Sequence, residues 1–142
     1  MNRVVLLGRL TDNVRISYRK EDHLAIARFI LAVERPMSRE KRDQAIEAKK
    51  PHTDFIKIKA RGSLALDLYK YTGKGDRIAL EGHLTTSNYK YKGRLIYTSQ
   101  VLVRRIDFLD YKSEDKANKY MEMMVKGWTI HEEENNDYKE EK

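Results

Sequence analysis

The chain contains no cysteine, which excludes disulfide bridges, thiolate metal sites and cysteine nucleophiles and fits a reducing compartment. Proline is nearly absent, and the two that occur, Pro36 and Pro51, bracket a single polar, charged stretch. No apolar run approaches the roughly 20 residues a membrane-spanning helix needs. The opening Met1-Asn2-Arg3-Val4-Val5-Leu6-Leu7-Gly8 is too short for a secretory signal and enters a patterned strand directly. A soluble intracellular protein is expected. Acidic residues are in deficit over residues 1–111, which carry 13 Asp and Glu against 23 Lys and Arg, whereas residues 112–142 carry 9 against 6. A basic surplus of that size on one domain attracts polyanions such as nucleic acid or anionic lipid. The 142 residues suit one domain plus a short appendage, and a 40% hydrophobic content suffices for one core.

Catalytic signatures are missing too. His23, His52, His83 and His131 lie in separate segments with no metal-site spacing, which argues for surface positions and no metal. Glu47-Ala48-Lys49 matches part of a nuclease carboxylate–lysine motif, but it sits in the polar stretch and reads as chance. Neither a Gly-rich phosphate loop nor a serine nucleophile motif occurs. No catalytic residue and no cofactor is assigned, and the chain is not read as an enzyme.

Along the chain, residues 3–10 are apolar except for Arg3 and Arg9, as in a strand covered on both faces. Leu24 to Val33 forms a second strand, with Ala25, Ala27, Phe29, Leu31 and Val33 on one face. Glu34 to Pro51 has no steady period and reads as a long mobile loop. The third strand, Asp54 to Arg61, alternates strictly: Ile56, Ile58 and Ala60 face a core, while Phe55, Lys57, Lys59 and Arg61 face outward. Ser63 is expected to cap a short helix reaching Thr72, stopped by Gly73-Lys74-Gly75. A fourth strand follows from Arg77 to Tyr89, with Ile78, Leu80 and Leu84 inward and Gly82 at a bend. The tip Lys90-Tyr91-Lys92-Gly93-Arg94 turns into a fifth strand, Leu95 to Phe108. Three strands, a short helix and two strands are the order of an all-β OB-fold barrel with its helix plugging one end. Residues 1–111 are that domain. In residues 112–142, Ser113 is expected to cap an amphipathic helix with Ala117, Tyr120, Met121, Met124, Val125 and Trp128 in one stripe, followed by an acidic tail expected to be disordered.

In these same segments the chain resembles the bacterial and phage single-stranded DNA-binding proteins. The resemblance rests on Asn2-Arg3-Val4-Val5-Leu6-Leu7-Gly8-Arg9-Leu10-Thr11, Ala27-Arg28-Phe29-Ile30-Leu31-Ala32-Val33 and Thr53-Asp54-Phe55-Ile56. It continues in Lys74-Gly75-Asp76, in Glu81-Gly82-His83-Leu84-Thr85-Thr86 and in Asn88-Tyr89. It implies an OB-fold that oligomerises through its first strand, as a dimer or a homotetramer, and wraps single-stranded DNA in replication, recombination and repair, in the cytoplasm at the nucleoid. It places base-stacking positions at Met37, Phe55, Arg61 and Tyr89, of which only Phe55 and Tyr89 carry a ring. Family tails usually end in an acidic run closing on Pro and an apolar residue. This chain reads Asp137-Tyr138-Lys139-Glu140-Glu141-Lys142, so tail recruitment is not carried over; the 117–128 stripe is expected to dock on the barrel or on a second copy, with protein-partner recruitment as the alternative.

The residues are compatible with the same ligand: taken alone, Phe55 is covered equally well by a base or by a neighbouring loop or subunit, and the cations are equally an ordinary solvated strand face, so it is the resemblance that favours the base. A sequence-tolerant binder of single strands needs flat rings for bases and cations for phosphates. Phe55 with Lys57, Lys59 and Arg61 supplies both; Tyr89, Lys90, Tyr91, Lys92 and Arg94 form an aromatic and cationic finger beside it. Arg3, Arg9 and Arg35 are weaker phosphate candidates, equally explained as intersubunit ion pairs. Tyr97 reads as core or interface. Three other functions compete: an RNA-binding or primosome-type OB module, a nuclease, and a pure oligomerisation scaffold.

Overall fold

A computed structural model describes residues 1–110 and 132–133. The amphipathic stripe from Ala117 to Trp128 and most of the acidic tail lie outside the described residues. In chain order the elements are β1 (Val4–Leu10), β2 (Arg15–Arg19), β3 (Ala25–Glu34), α1 (Arg39–Glu47), β4 (Thr53–Arg61), α2 (Ser63–Tyr71), β5 (Arg77–Tyr91), β6 (Arg94–Phe108) and β7 (Glu132–Glu133). The strands form one sheet, in the order β1-β5-β6-β4-β3-β2-β7. All neighbours are antiparallel except β4–β6 and β2–β7. Strand β3 also meets β1, at Arg9–Ala32 and Leu10–Leu31, so the pairings of β1, β5, β6, β4 and β3 close a circuit.

The core lies inside that circuit. Leu10, Leu31, Ile58, Ile78 and Val101 reach it from all five strands, and Ala65 and Leu68 enter from α2. Each such leucine or isoleucine contributes about 1.5–3 kcal/mol by leaving water. Alternation explains which residues go in. On β4, Ile58 and Ala60 are buried and Ile56 packs against them. On β1, Val4 and Leu6 pack inward while Val5 and Leu7 remain 67% and 59% exposed, so its second face is apolar and uncovered within one subunit.

The structure corrects four readings. The stretch from Glu34 to Pro51 is not all loop: α1 forms there, with Ser38 Oγ accepting from the Lys41 N–H at 3.2 Å and Glu40 in the first turn. None of its residues is buried, so a search for apolar period had nothing to detect. An ion pair from Arg42 to Glu34 at 2.9 Å ties it to β3. Ser63 does not cap α2; it is the first helical residue, and Gly62 at φ 67° holds the cap position with no side-chain bond. Leu84 is 46% exposed rather than core. The reason is Gly82, where a register shift against β6 bends β5 and a Cβ would stand 2.2 Å from the Leu102 carbonyl oxygen; beyond it β5 leaves the core as one arm of a hairpin. The short β2 and the two-residue β7 beside it at Tyr18 and Arg19 were not expected from the sequence.

The start of β5 and the end of β6 are clamped by one ion pair. Asp110 accepts the Arg77 backbone N–H at 2.8 Å and its guanidinium at 2.9 and 3.0 Å. Those hydrogen bonds hold the Asp110 carboxyl down at about 2, from 3.8. Among the described residues no helix is long and apolar enough to cross a membrane.

Candidate nucleic-acid interface

Strand β4 runs between β3 and β6, so its outward side chains stand in the middle of a sheet face. Phe55 is 68% exposed, opposite the small Ala32 of β3. A ring this open, on a strand flanked on both sides, presents a flat apolar surface to solvent. Lys57 stands opposite Ile30 and donates from Nζ to Thr98 Oγ1 of β6 at 3.4 Å. Lys59 lies opposite Arg28 on one side and Leu102 on the other. Arg61, opposite Ile26, is exposed at the end of the row.

Strand β6 joins this row to the hairpin. Thr98 stands opposite Ser87, and Tyr89, two residues along β5, shares the Ser87 face. Tyr89 therefore lies on the same side of the sheet as Lys57, half-buried and opposite Ile96. Tyr91 follows on that face, opposite Arg94, with Lys92 Nζ 5.3 Å from its ring centroid. The turn has two central residues, Lys92 and Gly93, both at positive φ (49° and 76°), the geometry that matches a twisted hairpin. Lys90 is not part of this set: opposite Leu95, it is on the other face, with Asn88 and the 71% exposed Tyr97. Tyr97 is thus not core.

The weaker phosphate candidates all have acceptors within the chain. Arg3 pairs with Glu81 at 3.1 Å, Arg35 with Asp54 at 3.0 Å, and Arg9 donates to the Gly75 carbonyl at 3.0 Å with Asp110 4.0 Å away. Each acid is an anionic competitor for any phosphate, and each bond spans too many residues to be read from sequence. Met37 is half-buried in the connection from β3 to α1. Among the histidines, His23 is exposed and His83 is half-exposed with its Nδ1 shut off from solvent. Among the described residues no group of three or more His, Asp or Glu could hold a metal ion.

A ring at one end of a row of three cations, with a second ring on the same face, offers stacking and charge neutralisation together. Residues 1–109 match the model of the single-strand binding protein family. The chain is 35% identical over 111 residues to the single-stranded DNA-binding protein of Clostridium perfringens, covering 78% of this chain and 67% of that one. Against the Clostridium tetani protein of the same description the identity is 30% over 118 residues, 82% of this chain and 76% of the relative. Against that of Staphylococcus epidermidis it is 29% over 115 residues, 81% of each. With nearly the whole described body matched in order, the chain belongs to the single-strand binding protein family.

Proposed function

We propose that this protein binds single-stranded DNA without sequence preference, across the outward face of β4 and the adjoining hairpin, and protects it during replication, recombination and repair. The carrying observation is Phe55, an open ring in register with Lys57, Lys59 and Arg61 on a face flanked by two strands. Stacking works on any base and phosphates are uniform, so this chemistry tolerates every sequence. The closed circuit of β1, β5, β6, β4 and β3, with α2 packed into its core, supports an OB-fold barrel as the scaffold. The role is binding, not catalysis, and its place is the cytoplasm, with the nucleoid.

Oligomerisation through β1 belongs to the same reading. Val5 and Leu7 offer an apolar surface, and β1 meets β3 only at Arg9 and Leu10, which leaves most of that edge for a second copy. A dimer or tetramer built this way covers both.

The test is a titration of labelled oligo-dT and matched oligo-rU across a range of salt. Tight binding to oligo-dT, weakening linearly in log[salt], is expected; equal or tighter binding of the RNA, or no salt dependence, refutes the reading.

A further inference from the structure

The backbone pairing of β1 with β5 runs from Arg9–Arg77 to Val4–Gly82 and stops there. Two residues farther along each strand, at Asn2 and Leu84, a side chain takes over. Asn2 Nδ2 donates to the Leu84 carbonyl at 2.7 Å, and the Leu84 N–H donates to Asn2 Oδ1 at 2.8 Å. A carboxamide carries a donor and an acceptor side by side, as a peptide group does, so Asn2 adds one more rung to the ladder with no strand behind it. Aspartate lacks the donor at neutral pH, and alanine lacks both groups.

The rung sits where β5 is least supported. At Gly82 the register against β6 shifts, and beyond that bend, among the described residues, β5 pairs with β6 alone, out to Tyr91–Arg94. Strand β6 in turn meets β4 only at Val101 and Leu102, with the Lys57–Thr98 side-chain bond farther out. The hairpin that carries Tyr89 and Tyr91 is therefore two-stranded for most of its length, and a two-stranded hairpin is marginal in water. Its root is held on one side by Ile58 opposite Val101, and on the other by Asn2 at Leu84, the residue opposite that same Val101. We propose that Asn2 is a positioning residue for DNA binding: through Leu84 its amide sets the angle at which the hairpin holds Tyr89 and Tyr91 beside Phe55. The proposal rests on the single-stranded DNA reading and adds to it a residue that acts through the hairpin's backbone.

The experiment compares the full chain with Asn2→Ala, Asn2→Asp, Tyr91→Ala and the double variant Asn2→Ala with Tyr91→Ala. The readouts are titration of labelled oligo-dT at fixed salt, amide hydrogen exchange, thermal melting and light scattering. Loss of the two exposed hydrogen bonds should speed exchange at Leu84 and along the hairpin about tenfold and weaken oligo-dT binding about three- to tenfold, with melting close to the parent's. Asn2→Asp should match Asn2→Ala. In the Asn2→Ala background, removing the Tyr91 ring should cost about half or less, in log K, of what it costs in the parent, because a loosened hairpin has already lost that contact. If Asn2→Ala fails to fold, Asn2→Asp carries the same cycle. Additive losses, unchanged exchange in the hairpin, or a Tyr91→Ala variant that binds like the parent each overturn the positioning role and leave the function intact. So does an Asn2→Asp variant that matches the parent, or a changed molar mass in Asn2→Ala, which assigns the residue to assembly. A parent that does not bind oligo-dT overturns the function reading, and this role with it.

Discussion

Phe55→Ala separates binding from folding more cleanly than any other change on the β4 face. The ring is 68% exposed and faces Ala32 across the strand pair, so its loss opens no cavity. Surface substitutions of this kind change stability by about 0.5 kcal/mol or less. Three residues along the strand, Ile58 is 1% exposed; truncating it to Ala removes a core side chain, at a cost of about 2–5 kcal/mol. A base stacked on an aromatic ring contributes about 1–3 kcal/mol, so Phe55→Ala should weaken oligo-dT binding about five- to hundredfold at fixed salt, with melting unchanged. The slope of log K against log[salt] should stay parallel to the parent's, since the ring neutralises no phosphate. Anisotropy of an end-labelled oligonucleotide reads both quantities without relying on Trp128. A variant that melts like the parent and binds within twofold of it refutes the placement of the bases over β4.

Arg61→Lys keeps the charge and deletes the plane, so a loss comparable to that of Phe55→Ala identifies Arg61 as a stacking residue, and no loss reduces it to a phosphate contact. Val5→Asp should lower the molar mass measured by light scattering while leaving circular dichroism unchanged; a parent that is already monomeric refutes the β1 interface. Asp110 has a folded pKa of about 2 against 3.8, so the stability it supplies is complete above about pH 4 and is lost as pH falls toward 2. Acid unfolding of Asp110→Asn should lack that part of the pH dependence, and an unchanged acid profile refutes the clamp.

Strand β4 was legible because its alternation is strict: apolar residues at 56, 58 and 60 can only share a face, which forces Phe55, Lys57, Lys59 and Arg61 together. Other elements left weaker traces. In β2 the inward set is just Ile16 and Tyr18, too short a period to stand out from polar neighbours, and α1 has no fully buried residue. Lys90 and Tyr89 are adjacent in sequence, yet pleating sends them to opposite faces. The partners of Arg3 and Arg35 lie 78 and 19 residues away, and no local pattern encodes such distances.

The closed circuit also dictates when this protein can fold. Strand β1 is the first made, but its main partner is β5, with Val4 paired to Gly82, and β4 gains its second neighbour only when Val101 and Leu102 of β6 arrive. Until synthesis has passed residue 108, the nascent chain holds Val5, Leu7 and the interior residues of β3 and β4 without the strands that complete their sheet. Contacts of such sequence separation form slowly. Truncation anywhere before β6 therefore leaves β5 without its hairpin partner and β4 without its second neighbour.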